Sequence, residues 1–303
     1  MTFRDWAWIV ILGTAWGGAF FFNEVLLRDL GPLWVGTARV GMGAVAMWIY
    51  VIATGRSGVV SGLMLGQLGV HGLLMYGLPF TIYPIGQQVI TSGAAGIINA
   101  MTPIMIVIVS HFWPGGERAT RLKSAGIAVG FLGIVLLTIP ALQGQGESAL
   151  WGLLFVLTAP FCYGLALNYV RRLKGLDPVV MLTWSLTFAT LGIGAVALPM
   201  EGVPPMLDLS GWAALFVIGV ILTALAFVIF YWLLPRVGAT SLSTVTFIAP
   251  VSAVFLGVAF LDETVDIWKV AGMVTIFVGL LLIDGRIARW FGGGPKPKDQ
   301  PTG

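Results

Sequence analysis

Charge is what this chain has least of. Asp, Glu, Lys and Arg together make up 10% of its 303 residues, against about 25% in a soluble domain, while hydrophobic residues reach 58%. A water-soluble globule is excluded. The single cysteine, Cys162, lies inside an apolar run, so an intramolecular disulfide and a cysteine-built metal cluster are excluded as well. No Gly-x-x-x-x-Gly-Lys occurs, and without that phosphate cradle the chain does not hydrolyse ATP. Within the apolar runs there is no Gly-x-Ser triplet for a serine nucleophile, and the internal acids come down to Glu24 and Asp284, far apart in sequence. An intramembrane enzyme lacks its reacting groups. Nor does a net charge of +3, dispersed along the chain, suit a nucleic-acid partner. Neither a metal nor a cofactor is implied.

What is present is apolar sequence in blocks long enough to span a bilayer, which takes about 20 residues per helix. Such blocks fall near 6–27, 34–54, 62–82, 86–112, 122–140, 149–169, 179–198, 210–233, 241–261 and 267–287. The division between the third and fourth is set at a tight loop around Tyr83-Pro84, that between the eighth and ninth at Pro235. The first block is too long for a signal-peptide core of about 7–15 residues and reads as a span. An all-α membrane protein of ten transmembrane helices is expected.

With the amino terminus inside, Arg4, Arg56, Arg118, Arg121, Lys123, Arg171, Arg172, Lys174, Arg236, Arg286, Arg289, Lys296 and Lys298 all fall on the cytoplasmic side. Arg28 and Lys269 fall outside and Arg39 within a span. This bias is the one that orients membrane proteins, so both termini are placed in the cytoplasm. The tail 292–303, rich in proline and lysine, is expected to be disordered.

The chain repeats itself. Lys123, Gly126 and Gly133 recur as Lys269, Gly272 and Gly279 at one constant offset, Gly31-Pro32 recurs as Asp177-Pro178 at the same offset, and Pro103 recurs as Pro250 within one residue of it. Two five-helix units follow, 5–140 and 149–287. Because five is odd, the second unit enters the membrane from the opposite side, and such inverted repeats around a central cavity are a recurrent plan of secondary transporters.

Uncharged polar residues inside spans are expensive unless they pair or face water, so their helical spacing points to a lumen. Gln88, Ser92, Asn99 and Thr102 share one face of the fourth span, and Thr240, Thr244 and Phe247 one face of the ninth. Trp16, Phe20 and Asn23 in the first, His71, Met75 and Pro79 in the third, Tyr163 and Leu167 in the sixth, and Phe227, Phe230 and Tyr231 in the eighth complete an aromatic-lined chamber. Spans one, three, four, six, eight and nine surround it, with five and ten bracing the periphery. His71 reads either as a cavity contact, as a satisfied packing residue or as a proton relay. Pro103 and Pro250 read as hinges or as fixed kinks. Glu24 and Arg39, equidistant from the turn at Gly31-Pro32, are expected to pair across the first hairpin. A channel would show charged rings or a filter loop, and the sequence carries neither.

Gly13-Thr14-Ala15-Trp16-Gly17, the small-residue runs before Pro103 and Pro250, and Leu261-Asp262-Glu263-Thr264 resemble the drug/metabolite transporter superfamily, EamA group, over about residues 5–285. Gly115-Gly116-Glu117-Arg118, the first-half counterpart of the last piece, matches that pattern in part. Within the group the chain is most similar to bacterial exporters of amino acids, aromatic ones in particular. The resemblance implies a multi-pass protein of the cell inner membrane, a monomer or weak homodimer. It implies export of aromatic and other small neutral amino acids by alternating access, with efflux of other metabolites or cationic drugs, or a passive solute channel, as alternatives.

Overall fold

The computed structural model describes residues 2–142, 147–173 and 175–284. Lys174, the last three residues expected for the tenth span (285–287), the four C-terminal basic residues and the tail 292–303 lie outside them. Among the described residues, nine helices are long and apolar enough to cross a membrane, and a shorter apolar one completes the set. They are α1 (Phe3–Leu26), α2 (Pro32–Ala53), α3 (Gly62–Gln87), α4 (Ser92–Phe112), α5 (Arg121–Leu142), α6 (Ala149–Leu173), α7 (Pro178–Glu201), α8 (Leu209–Val237), α9 (Val245–Phe260) and α10 (Ile267–Asp284). A single turn, Ala239–Leu242, precedes α9.

The starts of these helices follow from local chemistry. Thr2 and Asp5 form a reciprocal capping box on α1. Pro32 and Pro178 stand at the first positions of α2 and α7, where a missing N–H costs nothing. The Asp177 side chain caps α7 and the Asp208 side chain caps α8. Large apolar side chains remain open to the surroundings, such as Leu132 and Val135 of α5, Phe255 of α9 and Val274 of α10. That suits an acyl-chain environment and is wasteful in water.

Two divisions between helices differ from the sequence reading. Tyr83 and Pro84 are not a loop: both are buried inside α3, which continues to Gln87, and the chain turns at 88–91 before the Thr91 side chain caps α4. A proline in a buried helix frees one carbonyl without ending it; here that of Phe80 faces the close approach of α2 at Gly36. Pro235 likewise sits inside α8, which ends at Val237 and is followed by Gly238, whose φ of 76° favours glycine.

Successive helices, joined by short loops, run antiparallel, and contacts between the halves come in reciprocal pairs. A Cβ on Gly126 of α5 would lie 2.7 Å from the Gly279 carbonyl oxygen of α10, and one on Gly133 would lie 2.7 Å from that of Gly272. Gly272 and Gly279 are themselves the repeat partners of Gly126 and Gly133, so each contact is the other's image, as a two-fold axis requires. Elsewhere Gly17 of α1 abuts Ser252 of α9, and its repeat partner Gly164 of α6 abuts Met105 of α4. With lipid tails as apolar as leucine, this close backbone approach is what holds membrane helices together. The result is an all-α, ten-helix, two-repeat fold.

Candidate functional site

At the end of the bundle where the amino terminus begins, α1, α2, α7 and α8 part around a cavity of about 470 Å³. Arg4, Arg56 and Asp177 ring its mouth, and Tyr231, Val228 and Val179 lie among its lining residues. Basic residues gather at this end: Arg56 pairs with Asp177, Arg236 lies 3.8 Å from Asp5, and Arg171 donates to the Gly115 carbonyl.

The opposite end is drawn together by two carboxylates, each reaching from the second half to a helix start in the first. Glu201, at the end of α7, accepts from the backbone N–H groups of Leu33 (2.9 Å) and Trp34 (3.1 Å) in the first turn of α2. Glu263, just past α9, accepts from those of Ser92 (2.6 Å) and Gly93 (3.0 Å) in the first turn of α4. A carboxylate on a helix N-terminus meets both free donors and the positive end of the helix dipole. Beneath the Glu263 clamp a buried polar group is knotted together: Asn23 donates to Gln87 (3.0 Å), and Gln87 donates to the Phe20 carbonyl (2.8 Å).

Between the two ends the interior is aromatic. Trp16 lies 5.3 Å from Phe227 and 5.5 Å from Phe230. Phe227 lies 5.2 Å from Tyr76 and 6.4 Å from Tyr231, while Tyr76 lies 5.9 Å from Phe80. Behind Phe80 stands Arg39, 5% exposed, its guanidinium 3.6 Å from the ring centroid and its Nε donating to Thr223 Oγ1 at 3.1 Å. Tyr163 packs against both this cluster and the one that holds Tyr83. Tyr83 donates its hydroxyl to Asn99 Oδ1 (2.7 Å) and meets Phe20 edge-on at 5.0 Å.

Local backbone breaks position several of these groups. Pro103 cannot donate to the Asn99 carbonyl, so the Thr102 hydroxyl donates to it instead at 2.7 Å, and α4 kinks at Ala100–Met101 with the Asn99 side chain on its inner face. In α9 the corresponding break lies earlier, at Ser243–Thr244, and Pro250 sits within continuous helix. Both α3 and α8 widen to π-helix, at Leu73–Gly77 and Val217–Leu225, repeat-related segments that carry Tyr76 and Thr223. Such widenings often accompany functional sites.

Of the residues singled out from sequence, Trp16, Phe20, Tyr163, Asn99, Phe227 and Tyr231 come together in this interior. Met75 packs beside the same aromatic cluster. Asn23 and Ser92 belong to the clamped end, and Thr102 and Thr244 to the kinks of α4 and α9. Gln88 is a correction: it is exposed in the turn after α3, because α4 begins only at Ser92 and the assumed shared face does not exist. His71 is buried with Nδ1 2.9 Å from Ser185 Oγ, which gives it the packed reading. Nothing is described of the Thr240 side chain. The expected Glu24–Arg39 pair is overturned. No ion pair joins Glu24 to Arg39 among the described residues, and Arg39 turns toward α3 and α8, so equal distance from a turn did not make a shared helix face. The sequence signal for Arg39 was its isolation as the only cation within a span; what hid its surroundings was the assignment of α2 away from the cavity.

Comparison with known proteins accords with this architecture. A model of the EamA-like transporter family matches residues 6–139 and again 150–284. The chain is similar to the uncharacterized transporter YoaV of Bacillus subtilis, 25% identical over 90% of this chain and 94% of that one. It is also similar to the uncharacterized inner membrane transporter YedA of Escherichia coli, 21% identical over 88% and 87%. A WAT1-related chloroplastic protein of Arabidopsis thaliana is 22% identical over 93% of this chain and 70% of its own. One crystal structure superposes with a TM-score of 0.67 at 20% identity, covering 94% of this chain and 97% of its own, a likeness of fold.

Proposed function

The chain belongs to the EamA-like transporter family, a multi-pass membrane transporter and not an enzyme, and on that premise we propose that it exports small neutral amino acids, aromatic ones included, from the cytoplasm by alternating access. The observation that carries this reading is the aromatic cluster of Trp16, Phe227, Phe230 and Tyr231, of which Tyr231 lines the cavity among the Arg4 and Arg56 side chains. It offers flat apolar faces to a planar side chain. The Arg-ringed mouth is the cytoplasmic one by the positive-inside bias, so the state described is inward-facing, sealed outside by Glu201 and Glu263.

Inverted repeats supply the opposite state by exchanging roles. The repeat counterpart of Glu263 is Glu117, which here pairs with Lys123 at the inner end. In the outward-facing state Glu117 takes the first turn before α9, the position related to the Ser92 end of α4, while Glu263 lets go. α4 swings about its kink beside Pro103, and α9 about its break at Ser243–Thr244. Protein in liposomes, tested for counterflow with a panel of amino acids and cationic dyes with and without a pH gradient, tests the reading. Saturable exchange of aromatic amino acids supports it, and unsaturable conductance or exchange of dyes alone overturns it.

A further inference from the structure

Arg39 is a charge without a countercharge. No Asp or Glu among the described residues lies within ion-pair distance of it, and its contacts are one hydrogen bond from Nε to Thr223 and the face of Phe80. Both terminal guanidinium nitrogens therefore lack a protein acceptor among the described residues. Taking an ion out of water costs several kcal/mol even after relaxation, and a charge inside a membrane protein marks function by default. A ring face and a hydroxyl offset part of that cost. What they leave unused is the half of the guanidinium shaped for a planar anion, two parallel N–H groups that fit a carboxylate bidentately.

A second donor stands near. Tyr163, on the other repeat, packs against the cluster that holds Phe80 and Tyr76 and its hydroxyl makes no hydrogen bond among the described residues, whereas the Tyr83 hydroxyl is committed to Asn99. Between Tyr231 at the inner cavity and Arg39 stand Phe227, Tyr76 and Phe80, each ring against the next, apolar surface for the rest of a solute. Among the described residues Arg39 faces no acid that would hold an ammonium.

We propose that Arg39, with the Tyr163 hydroxyl, is the carboxylate-binding centre of the transport site, so that the solute is a monocarboxylate with an aromatic or apolar body. The inference rests on the transport reading above and narrows it: the carboxylate is recognised by a dedicated group and the ammonium of an amino acid is not. It also sets the site against cationic drugs, which the buried guanidinium repels.

The test uses the full chain in liposomes loaded for counterflow, with three probes of one shape: phenylalanine, its amide, and 3-phenylpropionate. Wild-type protein is expected to take both acids roughly 10- to 100-fold better than the amide, the size of one hydrogen bond to a charged group. Arg39→Met is expected to lose that preference and Arg39→Lys to keep part of it. Arg39→Met is also expected to melt no lower than wild type, since it removes an uncompensated buried charge. Should it fail to fold, Tyr163→Phe carries the test, raising KM for the acids several-fold and leaving the amide unchanged. Exchange of phenylpropionate that depends on Arg39, without exchange of phenylalanine, sinks amino-acid export and upholds the carboxylate centre. A wild type that carries the amide as well as the acids, or a folded Arg39→Met with unchanged preference, overturns the centre and leaves export of aromatic solutes standing.

Discussion

Neutralising Glu263 should open the sealed end of the molecule. Its carboxylate takes two backbone N–H groups, at 2.6 and 3.0 Å, from the first turn of α4. In Glu263→Gln one oxygen becomes a donor, so one of the two bonds is lost and the other becomes neutral. A hydrogen bond to a charged group contributes about 1.5–3 kcal/mol and a neutral one about 1, with a few tenths more from the helix dipole. The clamp weakens by at least about 2 kcal/mol, which multiplies the population with that end open by roughly 30 or more. Spin labels at Val89→Cys and Thr264→Cys in a Cys162→Ala background report this as a separation, because both positions are exposed and flank the clamp from opposite halves. A distance distribution that gains a longer component in Glu263→Gln is expected. An identical distribution in the two proteins refutes the clamp as a gate.

Three further outcomes follow from local geometry. Gly17→Val should lower the melting temperature sharply, since even a Cβ there collides with Ser252 Oγ and the Ala249 backbone, and overpacking a tight contact costs about 1–3 kcal/mol; unchanged melting refutes the packing argument. Trp16→Ala should raise KM for phenylalanine roughly tenfold through loss of the ring that stands with Phe227 and Phe230 in the aromatic wall while leaving alanine transport unaltered, and an equal effect on both solutes refutes the aromatic wall. The Gly211 N–H and the Ser210 hydroxyl hold the Asp208 carboxyl below the usual carboxylate range. Its contribution is therefore present above about pH 4 and lost as pH falls through the depressed folded value. Thermal melts of wild type should accordingly fall faster with acid than those of Asp208→Asn, and parallel curves refute it.

Much of the scaffold was legible because it depends on local and periodic features. Span positions come from apolar length, and starts from Pro32, Pro178 and Asp177. The glycine spacing of α5 and α10 matched a reciprocal contact because a duplicated helix packing on its own copy must present the same stripe twice. The boundaries at Tyr83-Pro84 and Pro235 were misread for one reason: proline ends a helix in water, where freed carbonyls are solvated and unwinding is cheap, but inside a membrane the flanking backbone must stay hydrogen-bonded. Pairings across the bundle were less accessible. Spacing placed Glu24 and Arg39 at similar depth without fixing the rotation of α1 and α2, and rotation decides that Arg39 faces Phe80.

The symmetry that makes the scaffold readable also marks where the site must be sought. Gly17, Gly126, Gly133 and Glu263 all have repeat partners of like chemistry, because both states of an inverted-repeat carrier use the same joints in turn. On the proposed mechanism the solute is bound once, on the axis, and its ligands are under no such constraint. Arg39 corresponds in the repeat to Ser185, which is spent on His71, and Phe80 corresponds to Ala226. A guanidinium in one half opposite a serine in the other cannot serve a symmetric joint, for a hinge or gate so charged would favour one state. It can serve a solute that remains on Arg39 while the halves exchange openings, since the attraction is then common to both states. Broken symmetry in the interior, against kept symmetry in the joints, is what separates recognition from motion in this chain.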